Sequence, residues 1–193
     1  MNAAKLCSAV VAAALAFGCV SRAKADSDVI KLNGGLEARI ASVGRDRSGN
    51  YVTVTFTLTN NGPNTVYLAL MGPPPRAVDN AGANYQYSGG SGLPKCAVWN
   101  LIEQCIGIPN PTGSTIPLQG YAELDPGVSI TPNFELFSSR NGTGTTISFA
   151  ATVAYRVVRD AMDDAARSED ARRQQIRTMV LSFPPAIIPG AVR

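Results

Sequence analysis

Residues 51–59 run Tyr-Val-Thr-Val-Thr-Phe-Thr-Leu-Thr, so that Val52, Val54, Phe56 and Leu58 fall on one side and Thr53, Thr55, Thr57 and Thr59 on the other. Side chains alternate across a strand, and β-branched residues favour one, so the pattern predicts a half-buried β-strand. Asn60-Asn61-Gly62-Pro63-Asn64 follows and predicts a turn. Val66, Leu68 and Leu70 repeat the alternation until Gly72-Pro73-Pro74-Pro75 stops it, and upstream Leu36, Ala38 and Ile40 show it too.

The second half behaves alike. Asp125-Pro126-Gly127 predicts a turn, after which Val128, Ile130, Phe134 and Leu136 form an inward set. Pro132 interrupts that set, which argues for an edge strand or a bulge. Asn141-Gly142 predicts a hairpin turn with positive φ. Ile147, Phe149, Ala151, Val153, Tyr155 and Val157 make a long strand, and Met179, Leu181 and Phe183 a shorter last one. Many short strands between Gly, Pro and Asn turns indicate an all-β fold, an antiparallel sandwich of the immunoglobulin-like kind. Residues 159–177, dense in helix formers and free of Gly, Pro and aromatics, predict a helical insertion before the last strand. Its aspartates suit a helix start, and Arg172, Arg173 and Arg177 a helix end.

The first twenty-five residues have the form of a signal peptide. Leu6 to Val20 is almost wholly apolar yet short for a membrane span, and Ala23-Lys24-Ala25 is a small-residue cleavage site, placing the cut between Ala25 and Asp26. Cys19 is a rival lipidation point, but Ala16 and Phe17 stand where a lipoprotein signal prefers Leu and a small residue. Residues 26–193 then form one domain. Loss of Lys5, Arg22 and Lys24 from the 17 basic residues leaves as many as the 14 acidic ones. The net positive charge belongs to the export signal, which removes any expectation of a nucleic-acid partner. A membrane association would follow only from lipidation of Cys19.

The chain contains no histidine, which excludes Ser-His-Asp and Cys-His nucleophilic sets and the commonest zinc ligand. No phosphate-cradling glycine motif is present. Glu103, Glu123, Asp125 and Glu135 are the carboxylates left for a carboxylate-only hydrolase or lyase acting on glycans, an alternative that ordinary surface acids explain better. The acids of the insertion lack calcium-loop spacing. No metal or cofactor is expected. Cys96 and Cys105, an even pair in an exported chain, are expected to form a disulfide. Between them stand Val98, Trp99, Leu101 and Ile102, with the only Trp of the chain. That loop either plugs one end of the sandwich or serves as a preorganised recognition surface for an envelope or extracellular partner.

Three runs carry a family resemblance: Val52–Tyr67 (VTVTFTLTNNGPNTVY), Val78–Tyr85 (VDNAGANY) and Leu124–Thr131 (LDPGVSIT). They are similar to bacterial secreted immunoglobulin-like domains of the telokin-like group, in which a strand ends in N-N-G, a D-x-x-G-x-x-Y segment forms a hairpin and L-x-P-G-x-S opens a later strand. The resemblance spans Leu36 to Val158. It implies an exported, non-catalytic domain of unknown function, with a role in binding or in the structure of the envelope.

Overall fold

The computed structural model describes residues 29–94, 121–168, 170–171 and 174–189. Its strands are β1 (Val29–Lys31), β2 (Leu36–Arg45), β3 (Tyr51–Asn60), β4 (Thr65–Leu70), β5 (Arg76–Asp79) and β6 (Asn84–Ser91) in the first half. The second half adds β7 (Ala122–Leu124), β8 (Ser129–Ile130), β9 (Asn133–Phe137), β10 (Thr146–Val158) and β11 (Arg177–Ile187), with a short helix, α1 (Ala161–Ala166), between the last two. All the pairings are antiparallel.

Hydrogen bonding links the strands in the order β1-β2-β3-β9-β6-β5-β10-β4-β7, with β11 also on β10 and β8 also on β3. The path folds back on itself. Phe56 of β3 lies 6.0 Å, ring to ring, from Phe149 of β10 and 5.4 Å from Phe183 of β11, though β3 and β10 are not neighbours in the path. The result is two layers closing over one core. One layer is β2-β3-β9-β6. The other is β11-β10 followed by β4 and β5, which lie end to end along β10. Val66 pairs with Val157 and Leu70 with Val153, and then Arg76 pairs with Ala150 and Asp79 with Ile147. Between them the Gly-Pro-Pro-Pro run loops out. The orders β2-β3-β9-β6 and β11-β10-β4 are those of an immunoglobulin-like sandwich, with β5 linking β10 to β6.

The alternating residues of β3 behave as the sequence predicts: Val52, Val54, Phe56 and Leu58 are all fully buried, while Thr53, Thr55, Thr57 and Thr59 look outward and are partly exposed. The inward sets of β4, β10 and β11 also fill the core.

Four expectations are corrected. Val128 is exposed, because its backbone is occupied in the turn: its carbonyl accepts from Asn60 N–H at 3.0 Å and its N–H donates to Asp125. Pro132 does not mark an edge; β9 lies between β3 and β6, and the proline simply separates β8 from β9. Asn141-Gly142 is no hairpin, since β9 and β10 belong to different layers, and neither residue has positive φ. The insertion contains a helix of six residues where a long one was expected. It ends at Arg167, whose N–H closes the last turn onto Asp164 O at 3.2 Å.

The cysteine pair Cys96 and Cys105, the Val98, Trp99, Leu101 and Ile102 cluster, Glu103 and the Ala25-Asp26 junction all lie outside the described residues.

Candidate functional site

The two ends of the sandwich are built differently. At the end where β2 finishes, Arg45 reaches a carboxylate that is shielded from water. Its Nη2 donates to Asp79 Oδ2 at 2.9 Å and to Tyr85 Oη at 3.1 Å, and its Nη1 donates to Gly144 O at 2.6 Å. The other Asp79 oxygen accepts from Ala81 and Ala83 N–H at 3.0 and 2.9 Å, which folds the β5–β6 hairpin, and Gly144 N–H donates to Oδ2 at 3.1 Å. Burial opposes the charge of Asp79, but the N–H groups of Ala83, Gly144 and Ala81, with the Arg45 guanidinium, hold its carboxyl below the ordinary value. Gly142 packs so tightly that a Cβ there would lie 1.6 Å from Tyr85 Oη. No space for a ligand remains. This end is a clamp, and the D-x-x-G-x-x-Y motif is its sequence trace.

The opposite end is open. Leu36 pairs with Asn60 there, and β10 runs out at Val158 opposite Thr65. A cleft of about 730 Å³ lies between the strand turns and the insertion. Gly34 and Gly35 form one wall together with Gly62, Pro63 and Asn64; Tyr155, Val157 and Val158 form the floor; residues 159–167 with Gln175 and Arg177 form the other wall. The glycines are required. Gly35 has φ +81°, and a Cβ on it would stand 2.5 Å from Gly62 Cα. The neighbouring turn is fixed by Asn60, fully buried, whose Nδ2 donates to Asn64 O at 2.8 Å and Leu124 O at 2.9 Å.

The insertion wall is held by its aspartates. Asp160 caps α1, its Oδ1 accepting from Met162 N–H at 2.8 Å and Asp163 N–H at 3.4 Å. Asp164 turns inward to pair with Arg156. Arg156 lies on the outward side of β10, yet it is fully buried, its guanidinium 5.2 Å from the Tyr67 ring centroid. Ala69 and Ala154 are buried beside it, with Tyr67, Met71 and Ile176 packed against them. The insertion therefore covers the outer face of the β4–β10 layer. Tyr67 also stacks edge-on with Tyr121 at 4.5 Å, and burial followed by the Glu123 charge pushes its hydroxyl pKa up.

Among the described residues, the sequence-predicted carboxylates of β7 and β9 do not converge. Glu123 and Glu135 are exposed on β7 and β9, in different layers, and Asp125 accepts from Thr65 Oγ1 at 2.7 Å. Among the described residues no three His, Cys, Asp or Glu side chains are grouped to hold a metal, and no helix is long and apolar enough to cross a membrane. Arg45 and Arg156 went unassigned in the sequence, and Arg177, expected at a helix end, opens β11 instead. Arg156 had a readable signal: a charged residue at an outward position of an otherwise apolar strand, with acids a few residues downstream.

No family model matches the chain, and no curated protein matches it in sequence. Three solved structures are distantly similar in shape. The yeast GGA1 GAE domain gives a TM-score of 0.39 at 10% identity, over 81% of this chain and 98% of that one. The ASH/PapD-like domain 7 of human CEP192 gives 0.33 at 13%, over 77% and 82%. AvmM, which catalyses macrocyclization in alchivemycin A biosynthesis, gives 0.27 at 12%, over 78% and 88%. At these values none of them carries a function across to this chain.

Proposed function

We propose that this chain is a non-catalytic, exported binding module of the bacterial envelope or extracellular space, of the telokin-like immunoglobulin type, and that it meets its partner at the open end of the sandwich. The observation that carries the reading is the cleft between the Gly35–Gly62 turns and the insertion. It is concave, of ligand size, and lined by both apolar and charged groups. Two of the three acids on its rim are spent on structure: Asp160 caps a helix and Asp164 pairs with Arg156. The Trp99 loop is proposed as a second contact, on its composition.

The test uses tagged mature protein, crosslinked within its own envelope fraction, alongside Pro63→Trp, which fills the cleft, and Trp99→Ala. A partner retained by the wild type and lost from Pro63→Trp, with an unchanged Tm, supports the reading. A partner retained equally by both variants removes these surfaces from consideration. Turnover of an added glycan by the purified chain overturns the non-catalytic assignment.

A further inference from the structure

The chemistry of the cleft specifies a class of ligand. We propose that it binds a small amphiphilic carboxylate, the apolar body lying on Tyr155, Val157 and Pro63 and the headgroup held by Arg159 and Arg177. The proposal rests on the reading of this cleft as a binding site.

The charges that line the cleft are nominally balanced: Arg159, Arg167 and Arg177 against Asp160, Asp163 and Asp164. Their commitments are not. The Asp160 carboxylate accepts from two backbone N–H groups of α1. Asp164 is paired with Arg156, which does not line the cleft. Asp163 remains, exposed as Arg159 and Arg177 also are, so two such cations face one such acid in the cleft. Arg167 is already engaged and is not counted.

Arg177 is different in kind. Its Nη1 donates to the carbonyl of Ile176 at 3.0 Å and also to that of Gln174. Both partners are neutral, so the guanidinium is fixed in place at the foot of β11 while its charge stays uncompensated by them. A preorganised guanidinium with donors to spare binds a carboxylate strongly and with defined geometry. Arg159 enters the same cleft where β10 ends, directly after Val158.

Beside these cations the floor is apolar. Val157 is partly exposed, Pro63 is exposed at the tip of its turn, and the Tyr155 ring lies beneath. An inorganic anion would leave that floor wet, and a neutral apolar molecule would strip water from the arginines without replacing it. A carboxylate on a short apolar chain satisfies both surfaces, and a cleft of about 730 Å³ has room for it.

Calorimetry with octanoate, 1-octanol and acetate separates the terms. Saturable octanoate binding is expected, with octanol and acetate each about tenfold or more weaker. Arg177→Gln and Arg159→Gln should each weaken octanoate about tenfold while Tm stays put, and Pro63→Trp should abolish it. Octanoate no tighter than octanol, octanoate unaffected by both arginine variants, or no saturable binding overturns the proposal. If octanoate fails while Pro63→Trp still abolishes partner capture, the binding-module reading stands and only the carboxylate assignment falls.

Discussion

Asp79 joins the hairpin of β5 and β6, the end of β2 and the segment entering β10, so one carboxylate ties both layers together. Because its pKa is lowered by folding, the stabilisation is present above the unfolded carboxyl value of about 3.9 and is lost as pH falls through the folded value. Asp79→Asn would keep the shape but leave Arg45 unpaired in a buried place; a loss of about 3 kcal/mol is expected, with a flatter acid limb in urea melts run from pH 7 to 3. If the variant's stability falls with acid as steeply as the wild type's, another group governs that limb. In the core, Phe56 touches Phe134, Phe149 and Phe183. Phe56→Ala should therefore cost about 3–5 kcal/mol, and Thr55→Ala, on the outer side of the same strand, under about 1. Equal small losses in denaturant melts would invert the assigned face. These contrasts were legible in the sequence because period-two alternation reports directly on which side of a strand meets the core. The partners of Arg45 were not, since Asp79, Tyr85 and Gly144 come from distant parts of the chain.

Among elements, the insertion departs most from its sequence signature. Residues 159–177 have the composition of a long helix, and Asp160 starts α1 as expected, yet α1 stops after six residues and Asp164 reaches down to the sheet. Composition cannot register such a downward contact. The outer face of β10 shows the same effect, since Ala154, Arg156 and Val158 are buried where alternation alone would assign them to solvent. Asp164→Ala should remove one charged partner from the buried Arg156 and cost about 1–3 kcal/mol. It should also release the cover, so that trypsin cuts at Arg167 well before the sandwich unfolds. Cleavage no faster than in the wild type would show that the ion pair does not hold the insertion down. The turns, by contrast, were well signalled: Asn60-Asn61-Gly62 and Asp125-Pro126-Gly127 form as the residue types require, Gly127 at φ +79°.

For the whole molecule, fold class could be read from the number and rhythm of strands, but the pairing could not. Nothing local announces that β7 will pair with β4, or that β4 and β5 will share β10 end to end. The open cleft was equally hidden, being assembled from four separate segments. Two predictions test the proposed export. The mature protein should begin at Asp26, which intact mass would establish; a chain beginning at a lipidated Cys19 would refute it. Non-reducing peptide mapping should recover Cys96 joined to Cys105, a closure of a short loop with a chain-entropy contribution of about 2–3 kcal/mol; two free thiols would exclude it. The sharing of β10 has a temporal consequence as well. Its partners come from both early and late in the chain, with Val66 on Val157 and Leu181 on Ala151, so the central strand of one layer is not paired on both edges until β11 has been made. Long-range closures of this kind are slow to nucleate. Under the export proposed above, that late closure would keep a nascent chain threadable and leave its final shape to be reached on the far side of the membrane.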